Sequence, residues 1–325
     1  MVLNKVYKNQ LNSLGKAGEP FLFIIDFEGI SPMVFPLSEI PDTIRVSIPG
    51  FQDKNLAESA LTRVSLEKNP VSYSEYHNAF DRVMVHLSQG NSYLVNLTFP
   101  TPISTNLTLE DIYNRSEAPY KLLIHNRFVV FSPERFVSIS NGFISSFPMK
   151  GTIDACIEDA EKKVLADPKE SAEHNTIVDL IRNDLSQVAK EVEVCRYRYI
   201  DRIRTHEKEI LQVSSEIRGR LPDGFQSRIG DILNALLPAG SVSGAPKKRT
   251  LEIIREAESE PRGFYTGIFG IFDGINLESA VMIRFIEQTA NGLRYRSGGG
   301  ITHLSKPGLE YEEMLDKVYL QITGE

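Results

Sequence analysis

The chain has 325 residues, 41% of them hydrophobic and 24% charged, and a formal net charge of −7. That composition excludes a disordered chain and leaves room for one large domain or two moderate ones, while the negative charge argues against nucleic acid or an anionic membrane as partner. The two cysteines, Cys156 and Cys195, stand in no CxxC or Cys/His spacing, which speaks against a disulfide framework or structural zinc and fits a reducing, cytoplasmic setting.

The N-terminus is polar and mixed, unlike a signal peptide, and the apolar run Phe21–Ile25 is too short to span a bilayer. Strands are predicted at Phe21–Phe27, Met33–Leu37 and Thr43–Ile48, broken by Gly29, Pro36, Pro41 and Pro49. Ser72 opens a capping-box pattern with Glu75; Tyr76, Phe80, Val83, Met84 and Leu87 then mark one helical face, which Gly90 closes. Tyr93–Phe99 reads as a strand ending at Pro100, followed by strands at Lys121–His125, Phe128–Phe131 and Phe136–Ile139.

After a charged stretch, Asp154–Ala166, a helix is predicted over residues 170–188. Ile177, Ile181, Leu185 and Val188 form its apolar stripe, and Asn175, Asp179, Arg182, Asn183 and Ser186 face water. Glu170, Glu173 and His174 project along the apolar side. Either this first turn emerges at the surface, where acids favour a helix N-terminus, or its carboxylates face a partner or a metal. Strands are then expected at Arg196–Ile203, Glu209–Glu216, Phe264–Phe272, Glu278–Glu287 and Gly292–Ser297, and helices at Ile229–Leu237, Thr250–Ala257 and from Pro307 onward. Strands and helices do not alternate strictly, so the expected class is α+β with largely antiparallel sheets.

Four stretches carry more polar or glycine content than their setting requires. Glu134, in Ser132-Pro-Glu-Arg135, is either a general acid or a turn residue paired with Arg135. Lys150 follows an apolar run and precedes Gly151; burial there would lower its pKa and make it nucleophilic, against the commoner reading of a strand-end lysine. In Gly240-Ser-Val-Ser-Gly-Ala-Pro-Lys247, Ser243 is placed to cap the next helix, whose first amides and Lys247 suit an anion. Gly298-Gly299-Gly300 is either an amide nest or a β-bulge. On the closing helix Glu310, Glu313 and Lys317 share a face, by default a surface ion pair, although Glu313 with Glu173 would also suit Mg²⁺.

Together these stretches resemble the chorismate-utilising enzymes, the family of anthranilate synthase large subunits, aminodeoxychorismate synthase component I and the isochorismate and salicylate synthases. The resemblance runs from about residue 73 to the C-terminus and rests on Tyr93-Leu-Val-Asn-Leu-Thr98, Ser132-Pro-Glu134, Pro148-Met-Lys150-Gly-Thr152, Ala172-Glu173-His174 through Arg182-Asn-Asp184, Gly240 through Lys247, Arg262-Gly-Phe-Tyr265-Thr-Gly267, Ile283-Arg284, Gly298–Gly300 and Glu310-Tyr-Glu-Glu313. It implies two packed, largely antiparallel β-sheets flanked by helices. It also implies a single chorismate-binding catalytic domain over 1–325, with 1–70 a shortened N-terminal region and 73–325 the family core.

The resemblance also implies roles. Glu173 and Glu313, with Glu310 close by, would hold Mg²⁺ on one carboxylate of chorismate. Tyr265, Arg284 and the amides of Gly299 and Gly300 would bind the other. Thr152 and Ser243 would line the ring pocket, Lys247 would add positive field, Glu134 would be the general acid for the C4 hydroxyl, and His174 would sit beside the metal ligand and orient substrate. Lys150, where anthranilate synthases usually carry alanine, resembles the aminodeoxychorismate-forming branch, in which this lysine attacks C2 before ammonia adds at C4. Leu94 stands where isochorismate and salicylate enzymes carry a lysine base, and leucine cannot be one. It also departs from the glutamine of amine-forming members, as Ser243 departs from their threonine. The short N-terminal region makes feedback by tryptophan unexpected. No nucleophilic-cysteine elbow is present, so ammonia is expected from a separate glutamine amidotransferase partner or free in solution.

Overall fold

The computed structural model describes residues 3–53, 63–204 and 209–322. Helix α1 (Lys5–Ala17) leads into strands β1 (Phe21–Ile25), β2 (Met33–Pro36), β3 (Ile44–Ser47) and β4 (Leu66–Lys68). Next come α2 (Tyr73–Ser88), β5 (Leu94–Thr105), α3 (Leu109–Arg115), β6 (Tyr120–Ile124), β7 (Phe128–Ser132), β8 (Arg135–Ser140), β9 (Phe143–Ser146) and β10 (Met149–Asp154). The middle of the chain holds α4 (Ala160–Ala166), α5 (Pro168–Ser186), β11 (Lys190–Arg204), β12 (Glu209–Arg220), α6 (Ile229–Leu236), the short α7 (Gly240–Ser243), β13 (Gly244–Ala245) and α8 (Lys247–Ala257). The last elements are β14 (Ile268–Phe272), β15 (Leu277–Val281), β16 (Phe285–Thr289), β17 (Gly292–Ile301) and α9 (Pro307–Asp316).

Among the described residues the strands form two antiparallel sheets, as expected for an α+β chain. The first runs β10-β12-β9-β8-β15-β14-β1-β2, with β11 also on β12; the second runs β13-β5-β17-β16-β7-β6-β3, with β4 also on β5. Strand β1 shows why the sheets stack. Its residues are buried on both faces: Phe21, Phe23 and Ile25 pack with residues of α1, α5 and α6, while Leu22 and Ile24 meet β3, β6, β7 and β14 between the sheets. Helices α2, α8 and α9 cover Val95, Leu97 and Phe99 of the second sheet. The N-terminal region is thus no appendage, because β1 and β2 belong to one sheet and β3 to the other. No described helix is long and apolar enough to cross a membrane.

Three elements depart from the sequence reading. Pro100 does not end its strand; β5 continues through Pro102 to Thr105. Thr98 donates its N–H to Glu258, and the Pro102 carbonyl accepts from Asn69, so backbone groups of this parity point away from β17. Both prolines therefore lack a donor only on the side where β17 needs none. The strand expected from Phe264 starts only at Ile268, because residues 264–267 form a turn in which Gly267 donates to the Phe264 carbonyl.

The strand expected over Glu278–Glu287 is two strands in two sheets. The chain crosses between them at Met282–Arg284, and Arg284 adopts φ 52°, a left-handed conformation rare for a residue with a Cβ. A second crossing lies beside it, between β7 and β8 at Pro133–Glu134. The two are tied by Val281 N–H to the Glu134 carbonyl and Phe131 N–H to the Arg284 carbonyl, each 3.1 Å.

Candidate active site

Glu134 and Arg284 thus stand on adjacent crossings, at the junction of the sheets. Ser132 Oγ accepts the Glu134 N–H at 3.1 Å, and Ser241 Oγ on α7 donates to Glu134 Oε1. The turn pairing with Arg135 does not form, since Arg135 pairs with Glu278 at 2.6 Å. Burial pushes the Glu134 carboxyl above the ordinary glutamate range, opposed by the Ser241 bond and by the charges of Arg284, Lys317 and Lys150. A carboxyl poised this way suits proton donation.

Lys150 reaches the same space from β10. Gly151 takes φ 90°, and the β10–β12 register slips between Met149 and Thr152, a bulge that re-aims the strand. Lys150 Nζ lies 2.6 Å from Glu173 Oε2. The lowering that burial alone would bring is not the outcome: burial lowers its pKa, but Glu173, with Glu313 and Glu170 behind it, outweighs burial and raises it. Thr152, one bulge further, is exposed.

The first turn of α5 does not surface. Asp167 Oδ1 caps it by accepting the Glu170 N–H at 3.0 Å, Pro168 follows, and both Glu173 and His174 are buried. His174 faces the sheet: its Nε2 lies 2.7 Å from Ser215 Oγ, and burial, with Arg198 nearby, lowers its pKa to about 4, so the ring is neutral. With no exposed surface, it reaches a bound molecule only through its neighbours.

The glycine run closes the opposite side. Gly298–Gly300 continue the regular β17–β5 ladder against Thr98, Leu97 and Asn96, with no bulge. The Gly298 carbonyl accepts from Lys317 Nζ at 2.9 Å, so groups of its parity, including the Gly300 amide, face away from β5, whereas the Gly299 amide faces Leu97. The Gly299 amide expected to bind a carboxylate is therefore engaged by the ladder, and the outward amides are those of Gly298 and Gly300. A Cβ at Gly299 would stand 3.6 Å from Glu313 Oε1, 3.7 Å from Lys317 Nζ and 3.8 Å from Glu310 Oε2. This is a small oxygen-rich cradle, and Lys317, taken from sequence as a surface partner of Glu313, is part of it, 2.7 Å from Glu313 Oε1. Carboxylate oxygens suit a hard divalent cation, yet no three His, Cys, Asp or Glu side chains among the described residues are already gathered as ligands. In this state Glu173 and Glu313 each hold a lysine ammonium.

A Cβ at Gly298 would come within 2.3 Å of the Leu97 carbonyl oxygen. Gly298→Ala is expected to cost about 1–3 kcal/mol through this overpacking, measured as a lower urea midpoint. Gly308→Ala, with no atom within 4 Å of the new methyl, should leave the midpoint in place.

Tyr265 is buried against Phe285, and burial raises its hydroxyl pKa to about 12, with Arg262 and Arg284 opposing. Arg284 Nε donates to the Tyr319 hydroxyl at 3.2 Å. The structure therefore brings Glu134, Lys150, Glu173, Arg284, Tyr265, Glu310 and Glu313 around one junction. It sets others behind that wall. Ser243 does not cap α8, whose N-cap is Pro246; its Oγ donates to the Ala239 carbonyl at 2.8 Å. Lys247 gives its charge to Asp184 at 2.7 Å and a hydrogen bond to the Leu236 carbonyl, so little of its field is free for an anion. Two residues escaped the sequence reading, Ser241 and the site role of Lys317, because their partners lie far along the chain or across a helix from a glycine strand.

A family profile described as chorismate binding enzyme matches residues 38–323, including β3 and β4, which the resemblance from residue 73 had left out. The chain is 52% identical, over 96% of its length and 97% of the other, to an uncharacterized PabA-like protein of Pasteurella multocida. It is 31% identical to aminodeoxychorismate synthase component 1 of Bacillus subtilis, over 77% of this chain and 55% of that one. Among solved structures, an isochorismate synthase described as DhbC from Bacillus anthracis shares the fold (TM-score 0.73, 19% identity, 97% of this chain and 86% of the other). Anthranilate synthase component I of Streptococcus pneumoniae does so as well, with TM-score 0.67 and 26% identity over 82% of this chain and 60% of that one. The chain belongs to the chorismate-binding enzyme family.

Proposed function

We propose that the protein aminates chorismate at C4 to give 4-amino-4-deoxychorismate, the precursor of 4-aminobenzoate and so of folate. The observation that carries this reading is Lys150, a lysine amine set among Glu134, Glu173 and Glu313. Arg284, whose planar fork matches a carboxylate, orients one end of the substrate together with Tyr265 and the outward amides of Gly298 and Gly300. The Lys150 amine attacks C2, the ring double bonds shift, and the C4 hydroxyl leaves as water with a proton from Glu134. Ammonia then adds at C4 and expels the lysine.

Mg²⁺ held by Glu173 and Glu313, beside Glu310, would grip a substrate carboxylate and stabilise charge there. Lys150 is nucleophilic only without its proton. The Glu173 carboxylate that keeps it protonated must therefore be engaged elsewhere, which the proposed ligand role provides. Ammonia is supplied by a separate glutamine amidotransferase subunit, in line with the named component 1 relatives, or from solution.

The test is the product formed from chorismate, Mg²⁺ and excess ammonium salt, separated chromatographically. Accumulation of 4-amino-4-deoxychorismate, lost on chelation and restored by Mg²⁺, is the expected result. Anthranilate with pyruvate would favour the second reading, anthranilate synthase, which rests on a comparable likeness to an anthranilate synthase component 1 of Haloarcula marismortui at 34% identity over 83% of the chain.

A further inference from the structure

The proposed acid has two oxygens, and the structure treats them differently. Glu134 has its backbone fixed at both ends of the residue: its N–H to Ser132 Oγ and its carbonyl to Val281 N–H, each 3.1 Å. Its side chain is half-buried, and among the described residues the hydrogen-bond donor to it is Ser241, on Oε1. That leaves Oε2 for the accessible side of the junction.

Ser241 is itself held in place. It sits in α7, four residues long, whose flanking groups are each pinned. A Cβ at Gly240 would stand 2.9 Å from Leu180 Cδ2 and 3.2 Å from Asp184 Oδ2, so the turn packs directly on α5. The Val242 carbonyl accepts from Arg262 Nη1 at 2.7 Å, and Ser243 Oγ closes onto the Ala239 carbonyl at 2.8 Å. Ser241 is the hydroxyl of this turn that turns outward, and it turns to Glu134.

We propose that Ser241 is a positioning residue for the acid: its hydroxyl claims Oε1 and reserves Oε2, with the proton, for the oxygen that leaves the substrate. In that step the C4–O bond breaks with its electron pair on oxygen, the proton passes from Oε2, water departs, and Glu134 is left as a carboxylate. Ser241 then donates to the charged form, where a hydrogen bond is stronger than to the neutral acid. The inference rests on the general-acid role of Glu134 proposed above, and it assigns a function within the glycine–serine turn that neither packing nor helix capping supplies.

Three cationic groups face Glu134: Arg284 at the neighbouring crossing, Lys317 after α9 and Lys150 on β10. All three favour the carboxylate, as does Ser241, and burial opposes them. Removing the hydroxyl therefore raises the Glu134 pKa. The acid must be protonated to work, so the alkaline limb of the kcat profile moves to higher pH in Ser241→Ala, even as the plateau falls.

The experiment is steady-state turnover of chorismate with Mg²⁺ and saturating ammonium chloride, as a function of pH, for wild type, Ser241→Ala, Ser241→Thr and Glu134→Gln. Ser241→Ala is expected to lower plateau kcat about tenfold, with KM little changed and the alkaline limb displaced upward; Ser241→Thr, which keeps the hydroxyl, restores both. A loss in Ser241→Ala with an unmoved limb, or one that threonine does not repair, would mark a merely structural role and overturn the inference. If Ser241→Ala is silent while Glu134→Gln is inactive, the inference falls and the acid stands. Full activity of Glu134→Gln would instead remove the acid, and the inference with it.

Discussion

Lys150→Ala is expected to lose 4-amino-4-deoxychorismate formation by on the order of a thousandfold or more, the scale on which a covalent nucleophile acts. Lys150→Arg should fare no better. Arginine keeps the positive charge and its attraction to Glu173, 2.6 Å away in the native pair, but it cannot become a free amine at accessible pH. The pair of variants therefore separates a nucleophile from a mere counter-charge. Omitting ammonia should let the wild type, but neither variant, accumulate a covalent adduct with the mass of chorismate less one water. A Lys150→Arg enzyme with near-native turnover would sink the lysine-nucleophile mechanism whatever the product.

The second large effect is on stability. Arg262 is 1% exposed and surrounded by acceptors. It meets Glu258 through two hydrogen bonds of 2.9 and 2.6 Å, the Val242 and Asn96 carbonyls at 2.7 and 2.6 Å, and the ring of Phe27 at 4.6 Å. Glu258 in turn accepts the Thr98 N–H and hydroxyl. Glu258→Ala strands a buried guanidinium and is expected to cost about 3–5 kcal/mol. Replacing both residues by methionine should cost less than that single change, because it is the unpaired charge, not the lost attraction, that dominates. Urea unfolding of the two variants decides this; a loss in the double variant as large as in Glu258→Ala, or larger, would refute it. Because Arg262 also holds the Val242 carbonyl beside Ser241, the single variant should impair turnover even at temperatures where it stays folded.

Much of the fold was readable along the chain. The unbroken apolar run of β1 and the Ser72 cap of α2, whose Oγ accepts the Glu75 N–H at 3.2 Å, are local signals with local causes. The misreadings share a different origin. Pro100 looked like a stop because a proline's cost depends on which side its neighbour strand lies, and sequence does not say. Met282-Ile283-Arg284 looked like uninterrupted strand because no glycine or proline marks the change of sheet. At the site, the acids of α5 were legible as misplaced charge on an apolar stripe. Their lysine partners were not, and neither was Ser241, 107 positions from the carboxyl it serves. Spatial partners of that separation leave no trace in periodicity.

The paired crossings have a mechanical consequence. Glu134 and Arg284 ride between two strand pairs, β7–β16 and β8–β15, at the point where the chain leaves one sheet for the other. One bond closes the crossings at the end of the first sheet, Val281 to Glu134, and the other at the end of the second, Phe131 to Arg284, so the two crossing segments are held to each other and the spacing between Glu134 and Arg284 is fixed like that of two teeth on one jaw. Any opening that admits a molecule to this junction has to come from the other jaw, the elements that carry Lys150, Glu173 and Glu313. Amide exchange should accordingly be slowest at Phe131 and Val281 and faster along β10 and α9, with ligand slowing the second group while leaving the first unchanged.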